Sequence, residues 1–109
     1  ASMSDTSLSG LQQTIDQWID ENGGYWDEMS LLARLTEEVG ELARAYNHRF
    51  GAKKKKPKEA EGEIADELGD ILWLVLCMAN QQGIDMEHAF EAVMTKLKVR
   101  DAGRFSAPA

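Results

Sequence analysis

Four carboxylates in this chain stand as two matched pairs, Glu38 with Glu41 and Glu67 with Asp70. Each pair is spaced i, i+3, which on a helix places both side chains on neighbouring positions one turn apart. Two such helices lying antiparallel would point all four acids into one seam. Carboxylates crowded in that way repel and raise one another's pKa values unless a cation compensates them. The sequence supplies few fixed cations nearby: from Glu59 to Thr95 there is no Lys or Arg, while Asp and Glu occur nine times. An all-oxygen donor set suits Mg2+, or Mn2+ in its place, better than zinc. Read without a metal, the same residues are the solvated acidic flanks of two helices.

The elements that would position these acids read as four helices. Leu11, Ile15, Trp18 and Ile19 recur at helical spacing and Gly23-Gly24 stops the pattern, predicting a first helix from about Ser9 to Glu21. Leu31, Leu35, Val39, Leu42, Tyr46 and Phe50 form one stripe, with Leu32 beside it, ending at Gly51. On that wheel Glu38 falls near the edge of the stripe and Glu37 points away from it. A third helix runs from Pro57 to about Gln82, with Ile64, Leu68, Ile71, Leu72, Val75 and Ala79 on its stripe. Asp85 is a natural cap for a fourth, which carries Ala89, Phe90, Val93, Met94 and Leu97 inward. No strand pattern competes, so the fold class is an all-α four-helix bundle.

The third helix is apolar at every position from Ile71 to Ala79, with Trp73 and Leu74 lying off the main stripe. One neighbouring layer cannot cover such a helix, which predicts association with a second copy of the chain. Packing within the protomer is the plainer account of Trp73.

The 109 residues, 43% hydrophobic, match one domain spanning 1–109, with residues 1–6 read as a tail outside the fold. Cys77, the single cysteine, reads as a small buried hydrophobe and excludes a cysteine metal cage. No stretch reaches the roughly 18–20 apolar residues needed to span a bilayer, and no secretory pattern opens the chain, so no membrane partner and a cytoplasmic location are expected. A net charge of -7 argues against nucleic acid as a partner. A di-iron bundle would use Glu-x-x-His pairs, and neither His48 nor His88 follows a glutamate at that spacing.

The run Glu37-Glu38-Val39-Gly40-Glu41-Leu42, followed by Glu67-Leu68-Gly69-Asp70, resembles the E-E-x-x-E and E-x-x-D signature of the all-α MazG-type nucleotide pyrophosphohydrolases. Every motif position matches, and the similarity extends over roughly Trp26 to Phe105. The resemblance implies a four-helix fold assembling as a homodimer or as a dimer of dimers. It also implies Mg2+-dependent hydrolysis of a nucleoside triphosphate, NTP or dNTP, to monophosphate and pyrophosphate. Carried over residue by residue, Glu38, Glu41, Glu67 and Asp70 hold the metal, with Glu37 and Glu38 in catalytic roles. Glu37 matches the first glutamate of the motif; it holds a second ion through a neighbouring subunit, supports the ligands from behind, or is solvated. In that chemistry the phosphate oxygens are neutralised, water attacks, and pyrophosphate departs in line.

Phosphates also need fixed cations. Arg100 and Arg104 continue the inward stripe of the fourth helix with Lys96 at its edge, facing a triphosphate or else compensating the negative end of the helix. The run KKKKPK at 53–58 reads as a solvated loop or as a lid over the nucleotide. Trp26 could stack on a base or pack against its own helix, and Asn80 could read a base edge or serve the helix end. The leading function is removal of damaged or otherwise non-standard triphosphates. Phosphoribosyl-ATP pyrophosphohydrolase and a non-catalytic helical partner module are the alternatives. The sequence leaves open the base, the sugar, and whether water attacks the α or the β phosphorus.

Overall fold

The computed structural model describes residues 5–52 and 57–100, so Arg104 and the lysines of 53–56 lie outside the described residues. Four helices follow in order, α1 Leu8–Glu21, α2 Glu28–Phe50, α3 Pro57–Gln82 and α4 Met86–Arg100, and the described residues contain no strand. Their ends are chemically marked. Ser7 caps α1 by accepting from the Gly10 amide at 3.0 Å, and Asp27 caps α2 by accepting from the Ser30 amide at 2.9 Å. Gly83, at φ 68°, closes α3 in the left-handed conformation while the Ile84 amide reaches back to the Ala79 carbonyl at 2.8 Å.

The most extensive packing is between α2 and α3, with α1 lying across α3. The core between these three helices gathers Ile15 and Ile19 from α1, Leu31 from α2, and Leu74, Leu76 and Cys77 from α3. Leu74, expected off the main stripe, is therefore part of the protomer's own core, whereas the stripe residues Leu68 and Leu72 are about half exposed. On α2 the covered line runs Leu31, Leu35, Glu38, Leu42, Ala45, while Leu32, Val39 and Tyr46 face outward. That covered line steps by four, three, four and three, the 3.5-residue repeat of helices that wind round each other rather than the 3.6 of a single wheel. Glu38 consequently moves from the predicted edge of the stripe to the middle of the seam.

The fourth helix differs from expectation. None of its residues is buried, Phe90 and Val93 are about half exposed, and it touches the bundle mainly through α1. What holds its start is polar. Buried Gln12 donates from Nε2 to Asn80 Oδ1 at 2.9 Å and to the Ile84 carbonyl at 2.8 Å, and its Oε1 accepts from the Met86 amide at 2.9 Å. Asn80 Nδ2 donates to the Gln12 carbonyl and to the Tyr25 hydroxyl, both at 2.9 Å. Glu87 accepts from the Ser9 amide at 2.9 Å, so the first turn of α4 satisfies an orphan donor at the start of α1.

This network sets a stability cost. Removing either amide strands partners in a low-dielectric junction, so Gln12→Ala and Asn80→Ala should each lower the unfolding free energy by about 2 kcal/mol. Urea titration of each variant and of the double variant checks this, and shared partners predict a double-variant loss smaller than the sum.

Candidate metal centre

The 3.5-residue seam aims Glu38 of α2 at Glu67 and Asp70 of α3. Each of these three offers a carboxylate oxygen within 4.8 Å of the others, a spacing that one cation can bridge. Glu38 is 5% exposed. Glu67 and Glu38 share a hydrogen bond, and this bond first, then burial, then the negative charges of Glu38, Asp70 and Glu41 push the Glu67 carboxyl up to about 7. The second Glu67 oxygen, Oε2, is buried with no hydrogen-bond partner. A buried acceptor left empty in this way costs free energy unless something arrives to fill it. Three oxygens converging on an orphaned acceptor, with no sulfur or ring nitrogen among them, fit a hard divalent cation.

Glu41, the fourth expected ligand, stands one turn further along α2. It is exposed and shares with Glu67 the wall of a polar cavity of about 210 Å³, completed by Arg44, Ala45, His48 and Glu63. On the other side of the cluster Arg34 donates to Glu38 Oε1 at 3.0 Å and to Glu37 Oε2 at 3.2 Å. Arg34 is half exposed, so this pairing contributes at most about 1 kcal/mol to stability. Its larger effect is orientational, since it fixes one Glu38 oxygen outward. Arg34 and Glu37 then line an open cleft of about 530 Å³ with Trp26, Asp27, Ser30 and Ala33.

The expected substrate contacts divide. Trp26 is 60% exposed in that cleft, its backbone carbonyl held by Gln81 at 2.7 Å, and its ring is available to a ligand. Asn80 is occupied with Gln12 and Tyr25, so its amide serves the junction of α1, α3 and α4. Lys96 and Arg100 are exposed on α4, a helix that packs on α1 rather than along the α2–α3 seam. Two partnered basic residues escaped the sequence reading. Arg34 was legible in principle, lying i, i+3 and i, i+4 from the two glutamates. The pair of His48 Nδ1 with Glu63 Oε2, at 2.7 Å, joins residues on different helices and needs the register of the seam to be seen.

With this geometry in place, the chain belongs to the MazG nucleotide pyrophosphohydrolase domain family, whose model matches residues 27–105. It is thus placed among the hydrolases, and a nucleotide is the substrate type of its family. Among individual relatives, it is 41% identical over 105 residues to the YpjD protein of Bacillus subtilis, covering 95% of each chain. The crystal structure of that protein superimposes with a TM-score of 0.76 at 42% identity, over 86% of this chain and 97% of that one. A second solved structure, the Bacillus-conserved MazG protein, a nucleotide pyrophosphohydrolase, gives a TM-score of 0.74 at 39% identity over 90% of this chain and 96% of its own. No described helix is long and apolar enough to cross a membrane.

The crowded acids make apo stability depend on pH in a definite direction. Folding raises the Glu67 pKa to about 7 from an ordinary 4.5, so the native state binds the extra proton between those values. Stability therefore falls as pH rises through that window, and the full penalty is present above about 7. In chelator, Glu67→Gln should raise the melting temperature at pH 8 and change it little at pH 4, with the difference growing between. Melting curves across that range check the sign, and added Mg2+ should flatten the wild-type dependence.

Proposed function

We propose that this chain hydrolyses a nucleoside triphosphate to its monophosphate and pyrophosphate at the α2–α3 seam, with Mg2+ held by Glu38, Glu41, Glu67 and Asp70. The observation that carries the reading is the buried, partnerless Glu67 Oε2 within bridging reach of Glu38 and Asp70. Family membership supplies the class of reaction. The ion, when bound, supplies charge neutralisation at the phosphates and activation of the attacking water. The chain does the rest. Glu67 gives up its proton as the site is charged, Arg34 holds Glu38 in register, and Glu37 faces the substrate cleft beside Trp26, whose ring stacks on the base.

One feature supports a homo-oligomer, dimer or tetramer, as the working form. Leu32, Val39, Tyr46, Leu68 and Leu72 are about half exposed, and on α2 they recur every seven residues, the spacing of a second helix-packing seam. In such an assembly Lys96 and Arg100 reach the triphosphate from a neighbouring chain's α4, and Arg104 is assigned the same role from the sequence alone. The substrate is read as a damaged or non-standard NTP or dNTP. The complete acid set disfavours a non-catalytic module.

Glu38→Gln, Glu41→Gln, Glu67→Gln and Asp70→Asn should each reduce Mg2+-dependent turnover by about 100-fold or more while leaving the helical circular dichroism intact. A nucleotide panel resolving monophosphate and pyrophosphate from orthophosphate provides the assay, and wild-type rates in any two variants would overturn the assignment. Light scattering at micromolar concentration should return at least a dimer, and Leu72→Glu should shift the particle toward the monomer. A monomeric wild type would remove the oligomer from the proposal.

A further inference from the structure

Beyond the metal acids, the α2–α3 seam continues into the polar cavity between Arg44 and Glu63, and nothing in the carboxylate chemistry explains its composition. Three of its walls are acids, Glu41, Glu63 and Glu67, yet Arg44 forms no ion pair or hydrogen bond among the described residues. An arginine beside three carboxylates that pairs with none of them is directed elsewhere. His48, one turn further along α2 and mostly buried, is held at Nδ1 by Glu63 of α3, and its Nε2 makes no hydrogen bond among the described residues. The cavity thus presents one free guanidinium and one oriented ring nitrogen.

Their position along the seam is informative. Residues 38 and 44 are six apart on one helix, so Arg44 lies about 9 Å beyond Glu38 along the axis, and His48 about 15 Å. The Trp26 cleft lies off the opposite end of the cluster, with Arg34 and Glu37 between. Base, reacting phosphorus and terminal phosphates of one triphosphate follow the same order, and the long Arg44 side chain can reach back toward the cluster. Arg34, the seam's other guanidinium, is already engaged by Glu37 and Glu38.

We propose that the cavity lined by Arg44 and His48 is the subsite for the two terminal phosphates of the substrate, and hence for the pyrophosphate that leaves. This rests on the seam being the triphosphate site. A planar guanidinium forks onto two oxygens of a diphosphate, and His48, one turn along the same helix with Nδ1 on Glu63, donates from Nε2 in its imidazolium form. The acidic walls add a condition. Without a divalent ion, Glu41 and Glu67 repel the anion; with it, they are occupied and Glu63 stays with His48. Binding of pyrophosphate therefore requires Mg2+.

Calorimetry with inorganic pyrophosphate, with Mg2+ and then with chelator, tests the site without relying on turnover. Wild type should bind pyrophosphate with Mg2+ only. Arg44→Ala should weaken that binding, and the product inhibition by pyrophosphate, by about 10- to 100-fold. His48→Ala should weaken both by a smaller factor, and Arg44→Lys should restore them in part. Inhibition by nucleoside monophosphate and Mg2+ binding without nucleotide should stay within about twofold of wild type in Arg44→Ala. Pyrophosphate affinity unchanged in Arg44→Ala overturns the proposal, as does equal loss for monophosphate and pyrophosphate. If wild type binds Mg2+-pyrophosphate through Arg44 but turns over no nucleotide, the subsite stands and the hydrolase reading fails. Turnover with no Arg44-dependent pyrophosphate binding gives the reverse.

Discussion

Placing ionisable groups where a two-helix seam calls for leucine is the constraint around which the rest of this structure is arranged. Glu38 occupies a position that its neighbours Leu31, Leu35, Leu42 and Ala45 fill with hydrocarbon. Its partners across the seam are also acids. Without an ion the crowding is eased by two means, the raised proton affinity of Glu67 and a guanidinium on Glu38 Oε1, while one buried oxygen stays bare at a cost. The first two are partial substitutes for a divalent charge, and the third is a place for one. On the proposed reading, the strain of the apo site is the source of its affinity for a divalent ion.

The core compensates at a distance. Apolar burial is concentrated where α1 crosses α3, around Leu74, Leu76 and Cys77, one to two turns beyond Asp70. There α3 is anchored firmly enough to present its acids without help from their own turn. Trp18 and Trp73 meet edge to face at 6.4 Å on the rim of this region and close one end of the α1–α3 crossing.

Much of this was readable in the sequence, for identifiable reasons. Helix ends depend on local chemistry, and Gly23-Gly24, Gly51, Pro57, Gly83 and Asp85 each act within a few residues of themselves. The acid motif is likewise local within each helix, which is why both pairs could be named. Rotation of the helices was harder. A single-helix wheel drifts by about 20° per heptad from the 3.5 repeat that a packed pair adopts. Over α2 that drift separates an edge position for Glu38 from a central one, and an inward Val39 from an outward one. Pairings between helices, such as His48 with Glu63 or Gln12 with Asn80, depend on register and were beyond reach. The fourth helix misled because its apolar residues were assigned to a core that the protomer does not contain.

The attachment of that helix has a bearing on how the molecule opens. A segment joined through hydrogen bonds and Met86 at its first turn, with no fully buried residue along its length, is expected to open before the other three. Its amide protons will exchange with solvent deuterium through local release from the Gly83 turn, while those of α3 around Leu74 wait for global unfolding. The rate at which α4 exchanges is then a measure of whatever the rest of the surface does to cover Phe90 and Val93. In a lone chain it is fast, and each contact that seats the helix slows it, making one stretch of backbone a built-in gauge of assembly.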